Sequence, residues 1–275
     1  MSVPLREVIA ALEARYDPRL AEGWDAVGLV CGDRDEPVER VLFAVDPTSA
    51  VVDEVIGTGA ALLVTHHPLL LTPVHGVPAD DPKGRLVHRL IRAGAALFVA
   101  HTNADRAPDG VNDALAAVLG LIGTEPLEPV PTDPGVGLGR VGDLPEPMPL
   151  HAFAARAAGV LPATVGGVRV SGDPDRTVRR VAVCGGSGGS LTGAAAAAGA
   201  DVFLTSDLRH HPVSEHAESP GPALVDVAHF ATEWPWLPVA ADLLRRDLDG
   251  RVETWVSVRR TDPWTWHAAS AGPRA

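Results

Sequence analysis

The chain has 275 residues, of which 46% are hydrophobic and 21% charged, enough for one large globular domain or two ordinary ones. Its net charge of −12 argues against a general nucleic-acid-binding surface, which requires clustered lysine and arginine side chains. No apolar run reaches the roughly 18 residues of a membrane span, and the start of the chain lacks a signal-peptide pattern. Cys31 and Cys184 lie far apart in sequence, so we expect no disulfide framework and a cytoplasmic location.

The first predicted elements are an amphipathic helix and a βαβ unit. Apolar residues with helical spacing mark the helix: Leu5, Val8, Ile9 and Leu12. An apolar strand follows over residues 41–46, then a helix over 49–57 and a second strand over 62–65.

The second strand ends in His66 and His67, followed by Pro68. Because Pro68 cannot continue a ladder, both imidazoles lie at the carboxyl end of the strand, where open α/β sheets form their ligand crevices. Two neighbouring metal ions would use both rings. A hydrogen-bonded histidine pair at a strand terminus is the alternative, and this segment alone leaves both interpretations open.

A similar strand end follows along the chain. Residues 86–93 predict a helix and residues 96–100 another buried strand, which runs into His101 and Asp105. A further helix over 111–119 is closed by a glycine.

An internal repeat relates the first βαβ unit to a later one. Residues 41–67 align with residues 181–207 at a constant offset of 140 and without a gap, and Thr65 falls on Thr205. Any two βαβ units share part of this pattern, but an ungapped register favours a real relationship. The sequence therefore predicts an α/β fold of two related halves with mostly parallel sheets.

The second half is predicted to be inserted into the first. Residues 123–149 are rich in proline and glycine, which indicates a crossing from one half to the other. A helix over 238–248 and a strand over 252–258 return to the first half. We expect one domain from residues 1–125 plus 232–275, which carries the metal site, and a second from residues 126–231.

A third strand end completes the set of candidate ligands. The apolar strand that begins near Leu224 ends in His229, and Glu233 follows four residues later, so a helical turn would point both side chains one way. Each strand end alone is weak evidence, but together they bring nitrogen and oxygen donors to one edge of a sheet. Such donors without thiolate suit Zn, Mn, Fe or Mg, and five ligands suit two ions bridged by a carboxylate.

Four separated motifs resemble one known family, the GTP cyclohydrolase 1 type 2 homologues, also called NGG-one-interacting-factor-three-like proteins. The motifs are Trp-Asp-Ala-Val-Gly-Leu at 24–29, Thr-His-His-Pro at 65–68, His-Thr-Asn-Ala-Asp at 101–105 and His-Phe-Ala-Thr-Glu at 229–233. The resemblance implies a two-domain α/β protein with a dinuclear metal site, assembled as a toroidal homohexamer. It also implies five metal ligands, with Glu233 as the bridge: His66, His67, Asp105, His229 and Glu233.

Other polar residues near these motifs receive supporting roles. His101 is interpreted as orienting a ligand. Asp25 has two possible roles, the same one or, as the simpler explanation, that of a helix-terminal or turn carboxylate. Asp207 and His211 match the family and are the candidate catalytic residues, as proton carriers. The family often has glycine where this chain has Ser206, which puts the local backbone conformation in doubt because serine resists positive φ.

The glycine-rich segment 185–190, Gly-Gly-Ser-Gly-Gly-Ser, follows a strand and opens a helix. Its backbone N–H groups would suit a phosphate, but it matches neither the Rossmann nor the P-loop pattern, so a tight βα turn is the favoured interpretation.

Two functions remain open from the sequence. The first is a metal-dependent hydrolase that acts on a nucleotide or another phosphorylated small molecule, GTP ring opening being what the family name implies. The second is a non-catalytic metal-binding protein for storage or assembly. The expected cofactor is two divalent ions per chain, Zn, Mn or Fe, and the expected partner is another copy of the chain, with no membrane and no nucleic acid.

Overall fold

A computed structural model describes residues 2–270. No helix in that range is long and apolar enough to cross a membrane. The helices, apart from two short 3₁₀ turns at Pro18–Leu20 and Gly189–Leu191, are α1 (Leu5–Arg15), α2 (Ser49–Thr58), α3 (Pro82–Arg92), α4 (Thr102–Arg106), α5 (Val111–Leu119), α6 (Leu150–Val160), α7 (Thr192–Ala197), α8 (His210–Ala217), α9 (His229–Glu233) and α10 (Trp236–Asp247).

Thirteen strands are present in the same range. They are β1 (Val3–Pro4), β2 (Gly28–Cys31), β3 (Pro37–Val38), β4 (Arg40–Ala44), β5 (Leu62–Thr65), β6 (Ala96–Val99), β7 (Ile122–Val130), β8 (Asp133–Pro149), β9 (Val168–Ser171), β10 (Thr177–Val183), β11 (Val202–Thr205), β12 (Ala223–Val227) and β13 (Glu253–Val256).

The first sheet has the order β13-β4-β5-β6-β2 and is parallel except for β2 at its edge. Every residue of β5 and β6 is buried, as expected for central strands covered by helices on both faces. The predicted helix over 86–93 starts earlier, at Pro82, because the Asp81 side chain accepts hydrogen bonds from Lys83 N and Gly84 N and caps the first turn.

The second sheet has the order β7-β8-β10-β11-β12-β9. Only the β10–β11 and β11–β12 pairs are parallel, so the prediction of mostly parallel sheets is wrong for this half, which is mixed. The prolines and glycines of residues 123–149 form the antiparallel β7–β8 pair rather than a crossing. Prolines are tolerated in the edge strand β7, and a Cβ at Gly137 would lie 2.3 Å from Glu128 O.

The two βαβ units of the repeat have the same order of elements and the same strand pairing. Val41 pairs with Leu62 and Val181 pairs with Val202, which keeps the offset of 140 on both strands. The entry into the second strand is also repeated, since Ala61 N donates to Arg40 O and Asp201 N donates to Arg180 O.

Two hydrophobic cores meet along α5 and α9. On α5, Ala114 packs into the core of the first sheet and Leu115 into the core of the second. On α9, Phe230 packs into the core of the first sheet and Ala231 into the core of the second. The short helix that carries His229 and Glu233 therefore lies where the two sheets meet. The division into domains at residues 125 and 232 stays a prediction.

Candidate metal centre

The end of β5 directs two histidine rings toward one carboxylate. Beyond Thr65 the chain stays beside β4, because His66 N donates to Ala44 O and His67 N donates to Val45 O. The His66 Nε2 atom lies 3.4 Å from Oε1 of Glu233, and the His67 Nε2 atom lies 3.1 Å from Oε2 of the same residue. Two adjacent residues thus approach different oxygens of one carboxylate.

Glu233 is the centre of the cluster. It is buried on α9, and its Oε1 also lies 2.8 Å from Nε2 of His229, one helical turn earlier. Burial opposes ionisation of Glu233, but the surrounding His67, His66 and His229 rings outweigh it and hold the pKa of the carboxyl well below its usual range. A buried carboxylate with both oxygens facing imidazole nitrogens is placed to bind a divalent cation together with those rings.

Asp105 and His101 approach the same space from the turn after β6. The Asp105 Oδ1 atom lies 3.7 Å from His66 Nε2, and burial raises the pKa of this carboxyl although His66 lowers it. Ligand-capable atoms of His66, His67 and His101 lie within 4.8 Å of one another, as do those of His67, His229 and Glu233. His101 is therefore placed among the potential ligands themselves, whereas the sequence indicated only an orienting role.

Three buried polar atoms of the cluster have no hydrogen-bond partner among residues 2–270: His66 Nε2, Asp105 Oδ1 and Glu233 Oε2. The 3.1 Å approach of His67 Nε2 to Glu233 Oε2 is an ion contact without hydrogen-bond geometry. Unpartnered buried polar atoms are costly and uncommon in native structures. Two carboxylate oxygens and an imidazole nitrogen that converge in this way fit a divalent cation.

Each of the four rings is held through its Nδ1 atom, which leaves Nε2 for the cluster. This is the arrangement by which metal-binding histidines are oriented in proteins. The Nδ1 contacts are His66 to Ala100 O at 3.0 Å, His67 to Asp46 Oδ1 at 2.7 Å, His101 to Asp25 Oδ1 at 2.8 Å and His229 to Asp207 Oδ2 at 2.6 Å.

The orienting carboxylates compare with the sequence predictions in three ways. Asp25, for which the sequence left two roles open, contacts the His101 ring and also accepts from Thr102 N at the start of α4. Asp46 was missed, because nothing in its neighbourhood in sequence shows that it faces His67. Asp207, a candidate proton carrier, is placed against His229.

The carboxylates also set the charge of the rings in the metal-free site. Burial disfavours the imidazolium of His67, but Glu233 and Asp46 outweigh it and raise the pKa to about 11. Burial also disfavours the imidazolium of His229, but Glu233 and Asp207 outweigh it and raise the pKa of that ring to about 9. Protons therefore compete with metal ions for these nitrogens at neutral pH.

The glycine turn after β10 contributes space beside the cluster rather than a ligand. Gly186 has φ +67°, and a Cβ at this position would lie 2.6 Å from Glu233 Oε1 and 3.0 Å from His229 Nε2. Its N–H donates to Thr232 Oγ1, and the N–H groups of Gly185 and Gly188 donate to Asn112 and Thr205. Since these donors are engaged within the protein, the structure favours the tight turn over a phosphate loop.

The serine at position 206 does not strain the backbone. The left-handed residue is the next one, Asp207, with φ +57°. Ser206 is buried, and its hydroxyl lies 3.1 Å from Thr232 Oγ1, so it joins the contacts that hold the Gly186 turn.

His211 lies apart from the cluster. It is exposed on α8, and its ring contacts that of His210 edge-on at 5.1 Å between centroids. Neither candidate metal group among the described residues includes it. The catalytic roles of Asp207 and His211 stay predictions.

Comparison with known proteins gives a consistent result. The sequence model of the family described as Duf34/NIF3 (NGG1p interacting factor 3) matches residues 3–263. The GTP cyclohydrolase 1 type 2 homolog of Streptomyces coelicolor is 56% identical over 274 residues, covering 97% of this chain and 95% of that protein. The Mycobacterium tuberculosis protein of the same name is 39% identical over 370 residues, covering 96% and 97%. A solved Bacillus cereus protein related to NIF3 has a TM-score of 0.89 at 27% identity and covers 96% of this chain and 99% of that one.

Proposed function

Since the chain belongs to the Duf34/NIF3 family, as its four motifs predicted, we propose that it binds two divalent metal ions and acts as a metal-dependent hydrolase. The proposed substrate is a nucleotide or another phosphorylated small molecule. The observation that most strongly supports a metal site is that one buried polar atom on each of His66, Asp105 and Glu233 has no hydrogen-bond partner among residues 2–270.

The residues divide naturally between two ion positions. The candidate ligands form two groups that share His67, one with His66 and the other with His229 and Glu233. Asp105 lies beside His66, 3.7 Å from its Nε2. His101 adds a nitrogen donor on the side of His66. Glu233 is the proposed bridge. Nitrogen and oxygen donors without sulfur fit Zn, Mn or Fe.

Divalent ions, when bound, lower the pKa of water toward neutrality and stabilise developing negative charge. The protein's own part is to keep four imidazoles in one tautomer through their Nδ1 partners. Asp207 and His211 are the proposed proton carriers, with Asp207 acting beside His229.

The first experiment measures metal and turnover together. Elemental analysis of the protein reconstituted with Zn, Mn or Fe should give close to two ions per chain. Screening nucleotides, beginning with GTP because of the relatives' name, and phosphoesters should reveal turnover that a chelator abolishes and that Glu233→Gln lacks. Absence of metal after reconstitution would refute the site.

A non-catalytic role in metal storage or assembly is the second candidate. The observation that favours it is the exposed position of His211, which lies outside both candidate metal groups of the described residues. Two bound ions with no turnover on any substrate class, above the rate of the Glu233→Gln control, would make this the better conclusion.

We also propose that the chain assembles as a toroidal homohexamer. Six chains of 28.6 kDa give a particle of about 172 kDa. Light scattering tests this directly, and a stable monomer would contradict it.

The proposed location is the cytoplasm. Cys31 and Cys184 are both free thiols in the structure, which is the state in which a reducing compartment keeps cysteines. Fractionation of cells that express a tagged chain tests this, and recovery outside the cytoplasmic fraction would contradict it.

A further inference from the structure

A cavity of about 780 Å³ lies directly beside the candidate metal centre. One wall consists of His67 and His229 with their orienting carboxylates, Asp46 and Asp207. The opposite wall is the C-terminal arm, residues 261–267, which follows the last strand. The volume falls within the range of small-molecule sites, roughly 300–1,000 Å³.

The C-terminal arm is attached to the metal centre through a short chain of contacts. The Thr261 hydroxyl donates to Asp46 Oδ2, and the other oxygen of Asp46 holds His67 Nδ1 at 2.7 Å. The arm is therefore fixed at its root with respect to a proposed metal ligand.

Two tryptophans of the arm present flat apolar surfaces at the cavity. Trp264 and Trp266 line it, yet they are 72% and 75% exposed in the free chain. Indole rings are large contact surfaces for planar ligands, and stacking of a base on such a ring contributes substantially to binding.

Asp262 supplies an unused hydrogen-bond acceptor in the same wall. Asp262 is one of the residues that line the cavity and is only 7% exposed, and its buried Oδ2 atom has no hydrogen-bond partner among residues 2–270. The other acidic residues of the cavity are engaged, since Asp46, Asp207 and Asp226 contact His67, His229 and Arg169. Asp262 is thus the carboxylate placed to accept an N–H from a ligand.

Arg169 supplies positive charge at the cavity wall. It lies on β9, its side chain is 72% exposed, and only its Nη2 is used by Asp226. The remaining guanidinium donors suit a phosphate or carboxylate, for which arginine is well shaped.

We propose that this cavity binds a planar heteroaromatic ring with a ring or amino N–H group and an anionic substituent. The ring stacks on Trp264 and Trp266, its N–H donates to Asp262, and its anionic group pairs with Arg169. This places an organic ligand against the His67–His229 side of the metal centre. The inference deepens the proposed function by naming the recognition chemistry, but binding does not require turnover.

The test uses guanosine 5′-monophosphate as the probe, because it combines a flat ring, adjacent N–H donors and a phosphate. Calorimetry on the metal-loaded protein should show binding at least ten times tighter than that of ribose 5-phosphate, which lacks the ring. The Trp264→Ala/Trp266→Ala variant should lose tenfold or more in affinity for the nucleotide and none for ribose 5-phosphate. Trp255→Ala, at a half-exposed tryptophan on β13 outside the cavity, should change neither.

Two further variants separate the polar contacts. Asp262→Asn should weaken guanosine 5′-monophosphate more than inosine 5′-monophosphate, which lacks the exocyclic amino group. Arg169→Gln should weaken the nucleotide more than the neutral nucleoside, and the exposed Arg179→Gln serves as its control.

Metal content and light scattering are measured on every variant, so failure of the metal site is seen separately from failure of nucleotide binding. If the double tryptophan variant misfolds, Trp264→Phe/Trp266→Phe keeps a stacking surface and should retain most of the affinity. Unchanged nucleotide affinity in the alanine variant would overturn the proposal. Dissociation of the assembly in that variant would overturn it too, because the arm would then be an interface between copies of the chain.

Discussion

The two βαβ units, β4–α2–β5 and β10–α7–β11, have the same strand register but opposite roles at the metal centre. At the end of β5 the chain places His66 and His67, whose Nε2 atoms face Glu233. At the equivalent positions, 140 residues later, stand Ser206 and Asp207. Their side chains contact Thr232 and His229 instead. The first unit supplies proposed metal ligands, and the second contacts the proposed ligand His229 and its neighbour Thr232 on α9.

The turns that follow the first strands of the two units also have different roles. Asp46 of the first unit holds the His67 ring, whereas its equivalent, Gly186, has no side chain and leaves space beside Glu233. The same backbone geometry therefore carries a ring-positioning side chain in the first unit and leaves space beside Glu233 in the second. Function lies in the residues placed on the fold, since the same fold carries both.

The largest expected effect comes from removing the group on which both units converge. Glu233→Gln should lose both ions, because the neutral amide cannot bridge cations or balance three imidazoles. We expect a loss of metal affinity well beyond the ~10–100-fold that removal of an outer partner costs. Competition with a chromogenic chelator measures it. Glu253→Gln, at an exposed position on β13, is the matched control, and equal metal content in both variants would refute the assignment of Glu233.

Gly186→Ala tests whether the second unit supplies space. The new Cβ would press on Glu233 Oε1 and His229 Nε2, and the left-handed φ of +67° adds backbone strain. Metal affinity should fall by up to ~100-fold. The free energy of unfolding should fall by about 1–2 kcal/mol.

A second glycine separates the two causes. Gly199 has φ +70° and nothing within 4 Å of its would-be Cβ, so Gly199→Ala carries the strain without the intrusion. It should lose similar stability in chemical denaturation while keeping its metal affinity. If both variants bind metal equally, the space beside Gly186 has no role at the site.

The orienting carboxylates of the two units should be equivalent. Asp46→Asn and Asp207→Asn each weaken the hold on one ring, His67 or His229, and should each cost about 10–100-fold in metal affinity. Asp80→Asn, at an exposed position, is the control.

Turnover assays on the same variants decide between two roles for Asp207. If Asp207→Asn, assayed with its metal sites saturated, still loses rate by ~10²–10⁴-fold, Asp207 is a proton carrier as well as a positioning residue. If the rate returns when the sites are saturated, Asp207 only positions His229. His211→Ala, assayed beside it, tests the second proposed carrier.

The sequence predicted the ligand-bearing unit better than the supporting one, for a physical reason. Central parallel strands are continuous apolar runs, so the positions of β5 and β6 and the polar residues at their ends are visible locally. The β7–β8 pair was missed because edge strands tolerate proline and close strand approach requires glycine. The pairing of Asp46 with His67 spans 21 residues and that of Asp25 with His101 spans 76, so only the folded chain brings them together.

The last expected effect is a pH dependence of stability in the metal-free state. The pKa of His229 is raised to about 9 and that of His67 to about 11 against burial, chiefly by Glu233. Both exceed the unfolded value of ~6.5, so this stabilisation is fully present below that pH and is lost as pH rises through the folded values. Burial also raises the pKa of Asp105, so this carboxyl holds its proton more tightly in the folded state and lowers stability as pH rises above the unfolded value of ~3.9.

Thermal unfolding of chelator-treated protein should therefore show a melting temperature that falls from pH 6.5 to 9. The slope in free energy is at most ~1.4 kcal/mol per pH unit for each proton released. The stabilisation by added zinc should increase over the same range, because the ion needs neutral imidazoles and protons compete with it. His229→Gln should flatten the metal-free slope, since it removes the ring whose pKa is about 9. A metal-free melting temperature that stays constant across this range would mean that Glu233 does not hold protonated histidines, and the charge balance described for the cluster would be wrong.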